Sequence, residues 1–233
     1  MSRAKSAPTE LEVAKVRLLY RIPVPPARAR ALELSVGGES PFLDSNWAGG
    51  RVLGHAEEFD FDDGSFDVVV LHRTLDDLTV LARRQGRVFA VAEFLSRVAA
   101  VLAGGGLVIG CVENRHALER VLRGLKRLAG RGADPGADRM PAHPLSVSAC
   151  HRALASAGFG EIRLFSMLPG SELPSRLLGI EPGWSRRVCK RQLEVLRPPL
   201  VSPSSYIVWR MLAELGISQY LGPATFFWGR KAC

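Results

Sequence analysis

Phe59-Asp-Phe-Asp-Asp-Gly-Ser-Phe-Asp-Val-Val-Val-Leu-His-Arg73 is the stretch on which the architecture turns. An acidic turn around Asp63, Gly64 and Ser65 runs straight into the apolar segment Val68 to Leu71. That segment is too short for a helix and too uniformly apolar for a strand with one wet face, so it predicts a parallel strand covered on both sides. A strand buried on both faces needs helices above and below it, and the fold class is α/β.

Downstream, Val88, Val91, Phe94, Leu95, Val98, Ala99 and Leu102 recur at helical spacing, Gly104-Gly105-Gly106 ends the pattern, and Leu107 to Val112 reads as the next buried strand. Helix, glycine stop and apolar strand form the repeating unit of a parallel sheet. A further helix over 145–157, capped by Ser146 or Ser148, leads through Gly158-Phe159 to a strand at Ile162–Phe165, and Pro223 to Lys231 supplies a final strand. Upstream, Arg30 to Val36 is the natural first strand, followed by Gly37-Gly38, and Arg51 to Gly54 is a short strand. Thr9 to Tyr20 places apolar residues along one helical stripe, and Ile22-Pro-Val-Pro-Pro26 breaks it into an extended connector. Asn114 to Leu128 reads as a basic helix before a Gly/Asp/Pro-rich loop at 130–139. Residues 1–30 are therefore an N-terminal helix and connector, and 31–233 form one domain. Its segment 167–223 is rich in proline, offers helices at Ser185–Leu196 and Ser205–Leu215, shows no strand signal, and reads as a helical insertion.

With 233 residues, 47% of them hydrophobic, the chain can build a single well-buried domain with an appendage. No apolar run reaches transmembrane length and the start has no signal-peptide pattern, so a cytoplasmic protein is expected. Cys111, Cys150, Cys189 and Cys233 are scattered singly, and with His116, His143 and His151 they match no zinc spacing, so neither a metal site nor a disulfide framework is expected. The net charge of +8 comes mostly from arginine. Without an RNA-binding aromatic motif or a zinc finger, nucleic acid is a disfavoured partner and solvated helix faces account for the arginines.

The run from Asp63 to Val70 resembles the fourth-strand region of class I S-adenosylmethionine-dependent methyltransferases of the small-molecule kind. Leu102-Ala-Gly-Gly-Gly-Leu-Val-Ile is similar to the junction before that family's fifth strand, Ala157-Gly-Phe159 to the approach to its sixth, and Pro223 to Lys231, with its Gly-Arg-Lys end, to its seventh. The resemblance extends from about Ala31 to Lys231 and implies a Rossmann-like three-layer sandwich. The family's first motif, hydrophobic-Glu/Asp-hydrophobic-Gly-x-Gly-x-Gly, is matched by Glu33 and Gly37, while Ser35 replaces the first glycine and Glu39 the third.

By the same resemblance Glu33, Ser35, Gly37, Gly38, His55, Ala56 and Leu71 line the cofactor side. His55 stands where the family's Gly-Asp-Ala-Glu segment has its adenine-contacting aspartate. Only Ser40 to Gly50 separates the first motif from the strand at Arg51, so most of an αβ unit is missing, the nucleotide half is shortened, and Asp44 is the one acidic candidate for the ribose. His72 follows the fourth strand at the edge of the cleft, where an imidazole could act as general base toward a hydroxyl or amine. The function implied is methyl transfer from S-adenosylmethionine to a small, hydrophobic or natural-product acceptor. The alternative is an inactive methyltransferase-like subunit that binds or scaffolds through its insertion. That insertion could be a lid, an interface with a partner or a second copy, or, through Arg186, Arg187, Lys190, Arg191 and Arg197, a peripheral membrane contact. A Gly-x-Ser-x-Gly hydrolase elbow and the Gly-x-Gly-x-x-Gly spacing of a nicotinamide enzyme are both absent.

Overall fold

A computed structural model describes residues 29–36, 51–56, 61–114, 117, 145–168, 176–180, 207, 211, 220 and 222–232. In chain order its elements are β1 (Ala31–Ser35), β2 (Arg51–His55), β3 (Phe66–His72), α1 (Thr74–Arg84), α2 (Val91–Val101), β4 (Leu102–Glu113), α3 (Val147–Ser156), β5 (Phe159–Leu168), β6 (Arg176–Gly179) and β7 (Ala224–Lys231). The strands form one seven-stranded sheet in the order β2-β1-β3-β4-β7-β5-β6. The first four are parallel, β7 is antiparallel to both β4 and β5, and β6 is antiparallel to β5.

The opening stretch becomes β3, with Val68, Val69, Val70 and Leu71 all fully buried. Side chains alternate across a strand, so the run feeds two cores. Val69 and Leu71 pack with Leu32, Leu34, Val108 and Val112 against Leu75 and Leu78 of α1, Phe94, Leu95 and Val98 of α2, and Cys150 and Leu154 of α3. Val68 and Val70 face the other way with Ala31, Leu107, Ile109, Cys111 and Phe226. Sealing both faces is what the unbroken apolar run required.

Several expectations are corrected. The helix expected from Arg87 begins at Val91, and the glycines at 104–106 lie inside β4 instead of closing the helix. No linker separates α2 from β4. The glycines absorb the resulting irregularity: β3 pairs Phe66 with Leu102 but Val68 with Leu107, and Gly105 sits at φ 72°, a conformation glycine adopts without strain. The insertion expected to lack strands contributes β6, and β5 extends past its lower boundary to Leu168. Arg-Leu-Leu-Gly has neither alternation nor β-branched residues, so its pairing with Phe165–Leu168 is decided by the neighbouring strand and not by local propensity. Helix α1 carries no sequence forecast because it starts without a capping side chain, from Arg73 in the left-handed conformation at φ 58°. Where Ser146 was expected as a cap, its Oγ accepts the Ala149 N–H at 3.2 Å. The helices expected at 9–20 and 185–196 lie outside the described residues. Of the candidates at 114–128 and 205–215 only Asn114, Ala117, Ile207 and Met211 are described; Ile207 and Met211 are helical and exposed.

Among the described residues β2 is the edge strand, and it pairs directly with β1, so no other strand stands between them in the sheet. This is the shortened nucleotide half expected from the spacing.

Candidate functional site

The four parallel strands deliver their carboxyl ends, Ser35, His55, His72 and Glu113, to one edge of the sheet. The chain passes from β1 to β2 on one side and places β3 on the other, so the strand order reverses at β1. Such a reversal leaves a crevice beyond the carboxyl ends, where open α/β sheets take their ligands. The ladder between β1 and β3 stops at Glu33 opposite Val70. Past that point the Leu34 carbonyl has no strand partner on β3, and the buried Thr74 hydroxyl donates to it at 2.6 Å.

Register decides which side chains meet. Ser35 is opposite His55 on β2, and His72 is opposite Cys111 on β4. Ser35 lies two residues beyond Glu33 and His72 two beyond Val70, so both project from the same face of the sheet. His55, Ser35, His72 and Cys111 thus form one transverse row at the crevice. Three sequence-predicted site residues, separated by up to 37 positions, are brought together in this way, and the cysteine was not anticipated.

Each member has a distinct environment. Ser35 is buried and its Oγ finds no hydrogen-bond partner among the described residues, which is costly unless a ligand or water supplies one. His55 is exposed at the open end of the row, and the next residue, buried Ala56, donates its N–H to the Ser35 carbonyl at 3.0 Å, tying the ends of β2 and β1. Glu33 is fully buried one step below Ser35 on the same face, and Leu71 is buried in the helix-side core. Gly54 is required by packing, since a Cβ there would stand 2.6 Å from the Phe61 ring and 2.9 Å from Leu34. Gly37, Gly38 and Asp44 lie outside the described residues.

Desolvation, with a smaller contribution from the neighbouring Arg73 charge, pushes the His72 imidazole down to about 3. At neutral pH it is therefore a neutral ring and a weak base, which corrects the expectation of a general base with an ordinary imidazole pKa. Cys111 Sγ lies 3.5 Å from His72 Nδ1, so a thiol S–H donates to Nδ1 when the ring proton sits on Nε2. That tautomer would turn an N–H donor away from the thiol.

Sequence reasoning missed the charged brace behind the row. Arg73 donates from Nη2 to Glu113 Oε1 at 3.3 Å, joining the ends of β3 and β4, and its backbone N–H donates to the Cys111 carbonyl. Burial opposes the Arg73 charge, but Glu113, then Asp76 and Asp77, outweigh it and raise its pKa. Asp76, in the first turn of α1 and almost fully buried, accepts the Glu113 N–H on Oδ2 at 2.9 Å. Desolvation pushes this carboxyl up to about 7, against the opposing pull of that N–H and of Arg73. Asn114 closes the edge by donating from Nδ2 to the carbonyls of Tyr220 at 2.7 Å and Gly222 at 2.9 Å. Glu113-Asn114 at the end of a long apolar strand was a signal available in the sequence. Asp76 was not distinguishable there from its exposed neighbour Asp77.

No protein-family model and no curated protein matches the sequence. Among solved structures, the chain is similar to an S-adenosylmethionine-dependent methyltransferase of Thermotoga maritima, with a TM-score of 0.51 at 13% identity over 94% of this chain and 89% of that one. An Archaeoglobus fulgidus methyltransferase of the same dependence gives a TM-score of 0.49 at 15% identity over 94% of both chains. Phosphoethanolamine N-methyltransferase 2 of Haemonchus contortus, in complex with S-adenosylhomocysteine, gives 0.49 at 12% identity over 96% of this chain and 53% of that one. At these identities what is shared is the fold, and the sheet described above is the Rossmann-like methyltransferase fold.

Proposed function

We propose that this protein binds S-adenosylmethionine across the carboxyl ends of β1, β2 and β3 and transfers its methyl group to a small acceptor lying over β3 and β4. The observation that carries the proposal is the polar row His55, Ser35 and His72 at the strand-order reversal, with the Ser35 hydroxyl buried and unpartnered among the described residues. A buried hydroxyl lacking a partner fits a ligand with hydrogen-bonding groups. Bound there, the cofactor would supply an electrophilic methyl group on a sulfonium.

The chain's own residues would hold and align. Ser35 would hydrogen-bond the cofactor, with Glu33 below it and Ala56 beside it just past β2, whereas Leu71, fully buried in the helix-side core, would support the strand from behind. Exposed His55, with donor and acceptor nitrogens, would take the place of the acidic residue that the family uses toward adenine. His72, neutral at physiological pH, would orient the acceptor by a hydrogen bond from Nε2–H. Methyl transfer to an atom that is already nucleophilic, such as an unprotonated amine nitrogen, depends chiefly on in-line alignment, so a weak base is sufficient. The acceptor proposed is a small hydrophobic or natural-product molecule, as the resemblance implies.

A second proposal, a non-catalytic methyltransferase-like subunit, is favoured by the serine and glutamate that replace two glycines of the first motif. Isothermal titration with S-adenosylmethionine and S-adenosylhomocysteine separates the two. Saturable heat for both ligands, lost in Ser35→Leu with the fold intact by circular dichroism, is expected for the enzyme. No heat and no thermal shift at millimolar ligand would refute it and leave the subunit.

A further inference from the structure

From Arg83 to Arg97 the surface carries four arginines, Arg83, Arg84, Arg87 and Arg97, against one acid, Glu93. Residues 83–88, which close α1 and begin the turn to α2, are exposed without interruption. Arg83, Arg84 and Arg87 have no ion-pair partner among the described residues. Arg83 and Arg84 complement the carboxyl end of the α1 dipole, but Arg87 stands beyond the helix and has no such role.

Beside these charges stands Val88, a residue 95% exposed, more than any other large hydrophobic residue among those described. Glycine at 86, with φ 69°, turns the chain so that this tip projects between the two helices. Behind it lies an open cavity of about 460 Å³ whose apolar lining includes Ala56, Leu78, Leu81, Phe89 and Phe94. Arg87, Glu93 and Arg97 line it as well. The combination is three arginines, Arg83, Arg84 and Arg87, without ion-pair partners among the described residues, a protruding apolar tip and an apolar recess at its base.

Each part suits one kind of surface. Unpaired arginines are drawn to a layer of phosphates, an exposed valine gains by leaving water for acyl chains, and the recess offers room for the end of one chain. A nucleic acid would use the arginines but not the valine, since base stacking needs an aromatic or guanidinium face. We infer that the α1–α2 turn, Arg83 to Phe89, is a docking element for an anionic phospholipid bilayer. Ala56 both lines the recess and directly follows β2, so docking would set the crevice beside the membrane. This inference is independent of whether the crevice binds a cofactor.

Co-sedimentation with phosphatidylcholine vesicles, with and without one third phosphatidylglycerol, at 0.1 M salt tests it. The protein should bind the anionic vesicles only. Arg83→Gln/Arg84→Gln/Arg87→Gln should lower the partition coefficient about a hundredfold, near fivefold for each arginine. Val88→Asp should lower it about tenfold and Val88→Trp should raise it. Because a basic protein adheres weakly to any anionic surface, Arg152→Gln/Arg163→Gln/Arg230→Gln serves as the equal-charge control and should lose less than fivefold. All the turn substitutions are at exposed positions, and thermal unfolding checks that they fold. Equal losses in the two triple variants, no binding to anionic vesicles, or an indifferent Val88→Asp would overturn the inference. So would binding of an RNA hairpin, but not vesicles, that is lost with the turn arginines.

Discussion

Replacing Asp76 by asparagine should make the protein more stable at alkaline pH than at acid pH relative to the parent. The Asp76 carboxyl is almost fully buried at the junction of α1 and β4, and its pKa is raised from 3.8 to about 7, chiefly by desolvation. An acid whose folded pKa is raised binds more protons folded than unfolded between those two values, so its contribution to stability falls as pH rises through that window and is level above it. The full difference is about 4 kcal/mol, of which about 2–3 kcal/mol develops between pH 5 and pH 8. Asparagine cannot ionise, yet its Oδ1 can still accept the Glu113 N–H that Oδ2 accepts at 2.9 Å. Any cost of the new amide group is the same at every pH and cancels from the comparison. Urea denaturation of parent and Asp76→Asn at pH 5 and pH 8 measures it. The stability difference, variant minus parent, should increase by about 2–3 kcal/mol toward pH 8. A difference that is unchanged, or that moves the other way, would show that the carboxyl is already ionised in the fold and would remove the argument from burial.

His72→Gln should act with the opposite sign. A histidine with its folded pKa lowered from 6.5 to about 3 destabilises the fold as pH drops through that interval, because the unfolded ring takes the proton first. The parent should lose about 3 kcal/mol more than the variant between pH 7 and pH 4, read by the same denaturation series, and parallel curves would refute the buried neutral ring. Thr74→Val removes the hydroxyl that donates to the Leu34 carbonyl where β1 and β3 part. A loss of about 1–3 kcal/mol is expected, with Thr74→Ser retaining most of the stability, and equal behaviour of the two variants would argue that water replaces the hydroxyl.

The opening turn, the Val-Val-Val-Leu strand and the strand after the three glycines were legible because burial on two faces leaves a local trace, an uninterrupted apolar run, whereas the glycines themselves fell inside β4 and not at the helix end. The resemblance also picked out Ser35, His55 and His72 individually. Helix α1 escaped because it starts from a strained Arg73 without a capping side chain, and β6 escaped because a four-residue edge strand owes its pairing to β5. The chain alone therefore determined an α/β sheet with an altered glycine motif at the end of its first strand. Only the tertiary structure decided that Ser35, His55, His72 and Cys111 share one face, and that Asp76 and Arg73 brace it from behind. Which face a strand residue takes is local, but which residues stand opposite it depends on the register between strands distant in sequence. The proton affinities of His72 and Asp76 depend in turn on how much water that assembly excludes.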